Sequence, residues 1–148
     1  MNRLEQIEQD LIKALKAHDK DKVMVLRGLK SDLKYRRIEK RDDLTDEDII
    51  SVLSSAAKKC RESLEDFKKG GRNDLIQKTE KELEILSAYL PQQLTEDELR
   101  EIIKTAITET GADSPQKIGL VMKVVMPKIK GKADGKLVNR IVSELLAN

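Results

Sequence analysis

The chain predicts an all-α protein, and three observations carry that prediction. Apolar residues recur at steps of three and four along most of its length, while no stretch alternates convincingly at a period of two. Charged residues make up 38% and aromatics 2% of the 148 residues, a composition that suits helices packed around an aliphatic core. Helix start and stop signals punctuate the chain at Asp19, Thr45, Gly70-Gly71, Pro91, Thr95, Gly111, Ser114-Pro115 and Gly131–Gly135. We divide it into 1–91, a domain of about four helices built on a long helical hairpin, and 92–148, a domain of three helices.

Leu4, Ile7, Leu11, Ile12 and Leu15 predict the first helix. Asp19 caps a second, which reaches about Arg41 and has Val25, Leu26, Leu29 and Leu33 on its apolar side. A different side carries Arg27, Lys30, Lys34, Arg37 and Arg41. Steps of 3, 4, 3 and 4 put these five cations on one face, a stripe about 20 Å long at 1.5 Å per residue. The neighbouring helices are rich in Glu and supply counter-charge for it, in pairs worth little each. The long second and third helices suggest the hairpin.

The third helix starts at Thr45-Asp46-Glu47-Asp48, with Thr45 as N-cap and acids near the positive end of the dipole. Its apolar stripe is Ile49, Val52, Leu53, Ala56, Ala57, Cys60, Leu64 and Phe67, and Gly70-Gly71 stops it. Asn73 or Asp74 starts the fourth, with Leu75, Ile76, Thr79, Leu83, Leu86 and Leu90 inward. Pro91 ends it, because the residue before a proline is pushed away from helical geometry. The domain boundary falls in Pro91-Gln92-Gln93-Leu94.

Thr95 and Glu98 then predict a capping box. The fifth helix uses Leu99, Ile102, Ile103, Ala106 and Ile107, and Gly111 terminates it. Ser114 followed by Pro115 is an N-cap with proline at the first helical position. On the sixth helix Ile118, Val121, Met122, Val125 and Ile129 make one face, while Leu120, Val124 and Met126 lie off it. A helix apolar on most sides is buried on most sides. The sixth helix is therefore expected at the centre of its domain, with only Gln116, Gly119, Lys123 and Lys130 left as a polar strip. Pro127 bends or ends it, and Asp134 caps the seventh.

Few residues are suited to catalysis. Cys60 sits on an apolar stripe, where a thiol is structural, since reactive thiols need a polar, accessible setting. His18 lies in a Lys/Asp-rich connection and reads as a solvated surface side chain. One His and one Cys cannot build a His/Cys zinc site, and no carboxylate pair stands out from helix-surface charge. No catalytic residue, metal or cofactor is therefore assigned. Gly131-Lys132-Ala133-Asp134-Gly135-Lys136 fails as a phosphate loop. Its glycines are four apart rather than five, Leu137 replaces the Ser/Thr that would hold magnesium, and no strand precedes it. With one cysteine, no run of ~20 apolar residues and an acid-bearing N-terminus unlike a signal peptide, the expected location is cytoplasmic, with no membrane role.

Charge is the stronger functional signal. The formal net charge is only +2, yet seven Lys/Arg and a single acid, Asp134, lie between Lys117 and Arg140. Lys123, Lys128, Lys130, Lys132, Lys136 and Arg140 are suited to a phosphate backbone, and the start of the seventh helix lies among them. Gly119 beside Lys123 lets another backbone come close. The alternative is a solvated surface, with Gly119 packing against a neighbouring helix.

Several stretches resemble the YqeY family across nearly the full chain. They are Leu26-Arg27-Gly28-Leu29-Lys30, Arg61-Glu62-Ser63, Gly70-Gly71-Arg72-Asn73-Asp74-Leu75 and Tyr89-Leu90-Pro91-Gln92-Gln93-Leu94-Thr95, then Ile118-Gly119-Leu120-Val121-Met122 and Gly131-Lys132-Ala133-Asp134-Gly135. Each is weak alone; their order and spacing are specific. The C-terminal part resembles the tail domain of GatB, a subunit of the glutamine-dependent amidotransferase that corrects mischarged tRNA. In that enzyme the tail recognises tRNA while other domains do the chemistry. The resemblance implies a GatB-tail-like domain at 92–148 that binds tRNA or another structured RNA, with the motif glycine at Gly119 and the motif turn at Gly131–Gly135. Leu120 departs from it, standing where many tails carry lysine.

Two expectations follow. One is a non-catalytic, all-helical RNA-binding accessory protein that grips folded RNA through phosphates and 2′-hydroxyls, consistent with scarce aromatics. The other is a component of a glutamine-dependent amidotransferase, a carbon–nitrogen ligase, acting with a catalytic amidotransferase or aminoacyl-tRNA enzyme partner. Neither the Ser/Lys machinery of the amidase subunit nor the kinase-like core of GatB is recognisable. A protein adaptor whose basic face meets an acidic partner is a third reading.

Overall fold

The computed structural model describes residues 1–148. It is all-helical: α1 Arg3–Lys16, α2 Lys20–Lys40, α3 Asp46–Lys69, α4 Asn73–Ser87, α5 Glu96–Thr110, α6 Ile118–Ile129 and α7 Gly135–Ala147, with one 3-10 turn at Pro115–Lys117 and no strand. The chain forms two compact units, Met1–Leu90 and Pro91–Asn148.

In the first unit the most extensive helix contact is α3 against α4, so these two, rather than α2 and α3, make the long hairpin. Gly71 turns it with a φ of 65°, a left-handed conformation that suits glycine. Ile7, Leu11, Leu26, Leu29, Leu33, Ile49, Leu53, Cys60, Leu86 and Tyr89 form the core. Of the apolar residues that mark α1, Ile12 and Leu15 are exposed, while Ile7 and Leu11 share its buried face with Ala14. α4 starts at Asn73, as expected, and its N-cap, Arg72, offers no side-chain bond to the helix end.

The start of α3 is more fully capped than expected. Thr45 Oγ1 accepts from the Asp48 N–H at 3.2 Å, and the Asp48 carboxylate accepts from the Thr45 N–H at 2.9 Å. A capping box therefore closes here with Asp where Glu or Gln is usual. At Thr95 only the forward bond forms, from the Glu98 N–H at 3.2 Å. Lys40 also donates to Asp48, and this bond, followed by that from Thr45, holds the Asp48 carboxyl far below its ordinary value of 3.8. A depressed folded-state pKa contributes stability above the unfolded value that fades as pH falls. We expect α3 to lose stability as pH drops below about 4, and Asp48→Asn to flatten that dependence in acid titrations followed by circular dichroism.

Tyr89 closes the first unit. Its hydroxyl donates to Asp10 at 2.6 Å, and its carbonyl accepts from Arg3 Nε at 2.7 Å. Burial, then the hydrogen bond to Asp10, raises the phenol's pKa. A hydrogen bond to a charged partner is worth about 1.5–3 kcal/mol. Tyr89→Phe should cost about that much in urea unfolding with the slope unchanged.

The second unit is a triangle of α5, α6 and α7 around Leu99, Ile103, Ala106, Ala112, Val121, Val125, Ile129, Val138, Ile141, Val142 and Leu146. Each helix touches the other two. The expected central position of α6 is therefore wrong: Leu120 is 53% exposed and Met126 39%. Three mutually packed helices have no enclosed member, so the third face of α6 meets solvent however apolar its sequence. Pro127 lies in its last turn. Ser114 makes no side-chain cap, and Pro115 opens the 3-10 turn that feeds α6.

Candidate nucleic-acid interface

The site is built on the bend after α6. The Lys132 N–H returns to the Ile129 carbonyl at 2.8 Å, and Gly131 takes a φ of 78° that a side chain would strain. Two residues before α5 then pin the bend. Gln93 Nε2 donates to the Gly131 carbonyl at 2.7 Å and to the Pro91 carbonyl at 2.8 Å. The Leu94 N–H donates to the Lys132 carbonyl at 2.9 Å. With its carbonyls tied inward, the bend leaves Lys130 and Lys132 exposed. Gln93 was not anticipated as a site residue. A linker glutamine carries no periodic signal, and only the glycine at position 131 hinted at a bend needing support.

Along α6, Gly119, Lys123, Met126 and Lys130 follow at steps of four, three and four, so they line one exposed face that runs into the bend. A Cβ at Gly119 would meet nothing within 4 Å, so the glycine serves no helix packing inside this chain. Lys123, Lys130 and Lys132 enter no ion pair. Lys130 caps the C-terminal end of α6 and Lys132 follows it, where cations also complement the helix dipole.

The other cations are placed differently. Lys128 lies 3.7 Å from Glu109. Arg140 reaches Glu96 at 3.4 Å and Glu144 at 3.6 Å, and Arg100 holds the same two carboxylates at 3.1 and 3.0 Å. That cluster of two arginines and two glutamates is balanced. Lys136 is exposed on the first turn of α7, and its N–H donates to the Asp134 carboxylate at 3.3 Å. The α7 N-terminus thus already holds an anion of its own, which leaves phosphate attraction to the lysines.

On α2, Arg27, Lys30, Lys34 and Arg37 are exposed along one face, but Arg41 is not part of it. It is the left-handed cap of the helix, with a φ of 60°. The stripe is therefore about 15 Å long. Its counter-charge is also local: Asp43, just past the helix, meets Arg37 at 2.9 Å, while Arg27, Lys30 and Lys34 pair with no Glu. His18 is exposed with a φ of 56° at the α1–α2 junction. Cys60 is buried, and burial, with Glu82 adding, pushes its thiol up to about 11, an inert position for a nucleophile. No group of three or more His, Cys, Asp or Glu side chains is placed to hold a metal.

Fold and surface together define an all-helical, two-unit protein whose distinctive exposed chemistry is cationic. The chain belongs to the YqeY family: the family described as Yqey-like protein matches residues 4–146. Among its relatives is a Pyrenophora tritici-repentis protein named Altered inheritance of mitochondria protein 41, mitochondrial. It is 27% identical over 146 residues, which are 97% of this chain and 80% of the relative. A Lachancea thermotolerans protein of the same name is 30% identical over 130 residues, 86% of this chain and 68% of the relative. In a third, from Eremothecium gossypii, 35% identity extends over 88 residues, and the match spans about half of that relative. These names overturn the cytoplasmic expectation, since they place the relatives in mitochondria. A cysteine count and the lack of a long apolar run do not distinguish one compartment from another. No helix is long and apolar enough to cross a membrane.

Proposed function

We propose that this chain is an RNA-binding accessory protein that meets tRNA, or another structured RNA, along the exposed face of α6 and the bend that follows. The observation that carries this reading is the run Lys123, Lys130 and Lys132, three exposed lysines without ion pairs in a chain whose net charge is only +2. Cations not already balanced by acids release counterions most effectively on meeting phosphate. Gly119 lets a ribose-phosphate backbone approach α6. The resemblance of this unit to a tRNA-recognising tail points the same way. The relatives' names make mitochondria the compartment in which to look for the RNA.

A filter-binding titration of bulk tRNA against the full chain at about 50 and 200 mM salt tests the reading. With three to five phosphate contacts, affinity should fall roughly 20–500-fold between the two conditions. Binding that ignores salt, or no binding at all, sinks it.

A second reading has its own support. Leu120 and Met126 are large apolar side chains exposed on the same helix as the lysines, a kind of surface that protein partners cover. On this reading the chain is an accessory component of a glutamine-dependent amidotransferase, and a catalytic partner supplies the ammonia-generating site. Co-purification with an amidase or aminoacyl-tRNA enzyme, abolished by Leu120→Lys/Met126→Lys, separates it from the first.

A further inference from the structure

We propose that the outward face of α2 is where a second copy of this chain docks, as a parallel, two-fold symmetric helix pair. The inner face of α2 gives Leu26, Leu29 and Leu33 to the core. The opposite face is also apolar: Met24 is 61% exposed, Tyr35 70% and Ile38 62%. Gly28 and Ser31 lie between them, so that positions 24, 28, 31, 35 and 38 follow at steps of four, three, four and three. This is the spacing of a coiled-coil seam, with large residues at its ends and small ones at its middle.

Gly28 gives the first independent reason for close approach. A glycine inside a helix is destabilising relative to alanine. A Cβ here would meet nothing within 4 Å, so no contact within the chain requires its absence. The approach of another backbone does.

The charges beside the seam choose the occupant and its direction. On one flank stand Arg27 and Lys34, on the other Asp32 and Glu39. In a parallel pair each flank residue faces the opposite flank of the partner five positions on. Arg27 of one copy then meets Asp32 of the other, and Lys34 meets Glu39, with both pairs repeated by symmetry. An antiparallel pair would set Arg27 and Lys34 against each other. Arg27, Lys34 and Asp32 have no ion pair within the chain, and Glu39 has only Arg36 at 3.5 Å. Lys30 and Arg37 lie farther round the helix and stay in solvent.

The seam covers two heptads, about 21 Å, which is at the small end for a specific interface. Weak association is therefore expected. In sedimentation equilibrium of the full chain without RNA, the mass should rise from 16.8 kDa toward twice that value, with half-association at roughly 10–100 µM. A single monomeric species at about 500 µM overturns the proposal. So does a dimer that survives Ser31→Lys, an exposed substitution whose fold is checked by circular dichroism. Arg27→Glu/Lys34→Glu and Asp32→Lys/Glu39→Lys should each be monomeric alone and dimeric when mixed; failure of the mixture to associate overturns the charge pairing. Under added copper–phenanthroline oxidant, Met24→Cys and Ile38→Cys should each form a disulfide with its own kind, since Cys60 is buried. Crosslinks found only between the two different variants would mean antiparallel packing and overturn the parallel pair.

Discussion

Lys130→Glu/Lys132→Glu should lower the affinity of the full chain for bulk tRNA by roughly tenfold or more at low salt, and reduce the slope of log affinity against log salt by about 1.5–2. The size of each loss depends on which cations are already paired with acids. Lys130 and Lys132 project from a bend whose carbonyls are tied by Gln93 and Leu94, so their backbone is ordered before any ligand arrives. Neither has an acidic partner to give up. Arg140 shares Glu96 and Glu144 with Arg100, so its charge is largely answered before RNA comes near. Arg140→Gln should cost less than about threefold, within the modest range of exposed, partnered charges. Equal losses for the two variants would mean that the whole unit attracts RNA by diffuse charge and that the α6 edge has no special role. An unchanged salt slope in Lys130→Glu/Lys132→Glu would mean these lysines do not contact phosphate.

Much of the architecture was legible because helices announce themselves locally. The periodic stripes of α3 and α5, the stop at Gly70-Gly71 and the left-handed Gly111 each depend on residues a few positions apart. Burial depends on more than that. The apolar excess on α6 reads as a buried helix, yet a three-helix triangle has no interior member, and Leu120 and Met126 remain outside. The same gap appears on α2, where one apolar face enters the core and a second does not. A single sequence reports that a face is apolar and leaves open what covers it.

The candidate site divides along the same line. Lysine composition between Lys117 and Arg140 was plain from the sequence, but which of those cations are neutralised was not. Glu96 precedes Arg140 by 44 residues, and only folding brings them to 3.4 Å. Gln93 is a parallel case, reaching Gly131 across 38 residues. Arg41 fails for a local reason: its step fits the helical stripe, but the helix ends one residue earlier and the backbone turns left-handed.

Ile141→Ala should unfold the second unit selectively and take RNA binding with it. Ile141 is fully buried among Leu99, Ile103, Val121 and Val138. Truncating such a side chain costs about 2–5 kcal/mol, from lost transfer energy and from the cavity left behind. A unit as short as Pro91–Asn148 buries a smaller fraction of its surface than a larger domain does and has a correspondingly small margin, so this loss approaches the unit's whole stability. The bend at Gly131 is held by residues of the same unit, and therefore loses its order when α5, α6 and α7 separate. Hydrogen exchange on the full chain distinguishes the outcomes. Amides of α5–α7 should lose protection while those of α3 and α4 retain it, and tRNA binding should fall in parallel with the α6 amides. Uniform loss across α1–α7 would show that the two units unfold as one. Loss of protection in α5–α7 with tRNA affinity intact would remove the α6 edge from RNA recognition and move the search to Arg27, Lys30, Lys34 and Arg37 on α2.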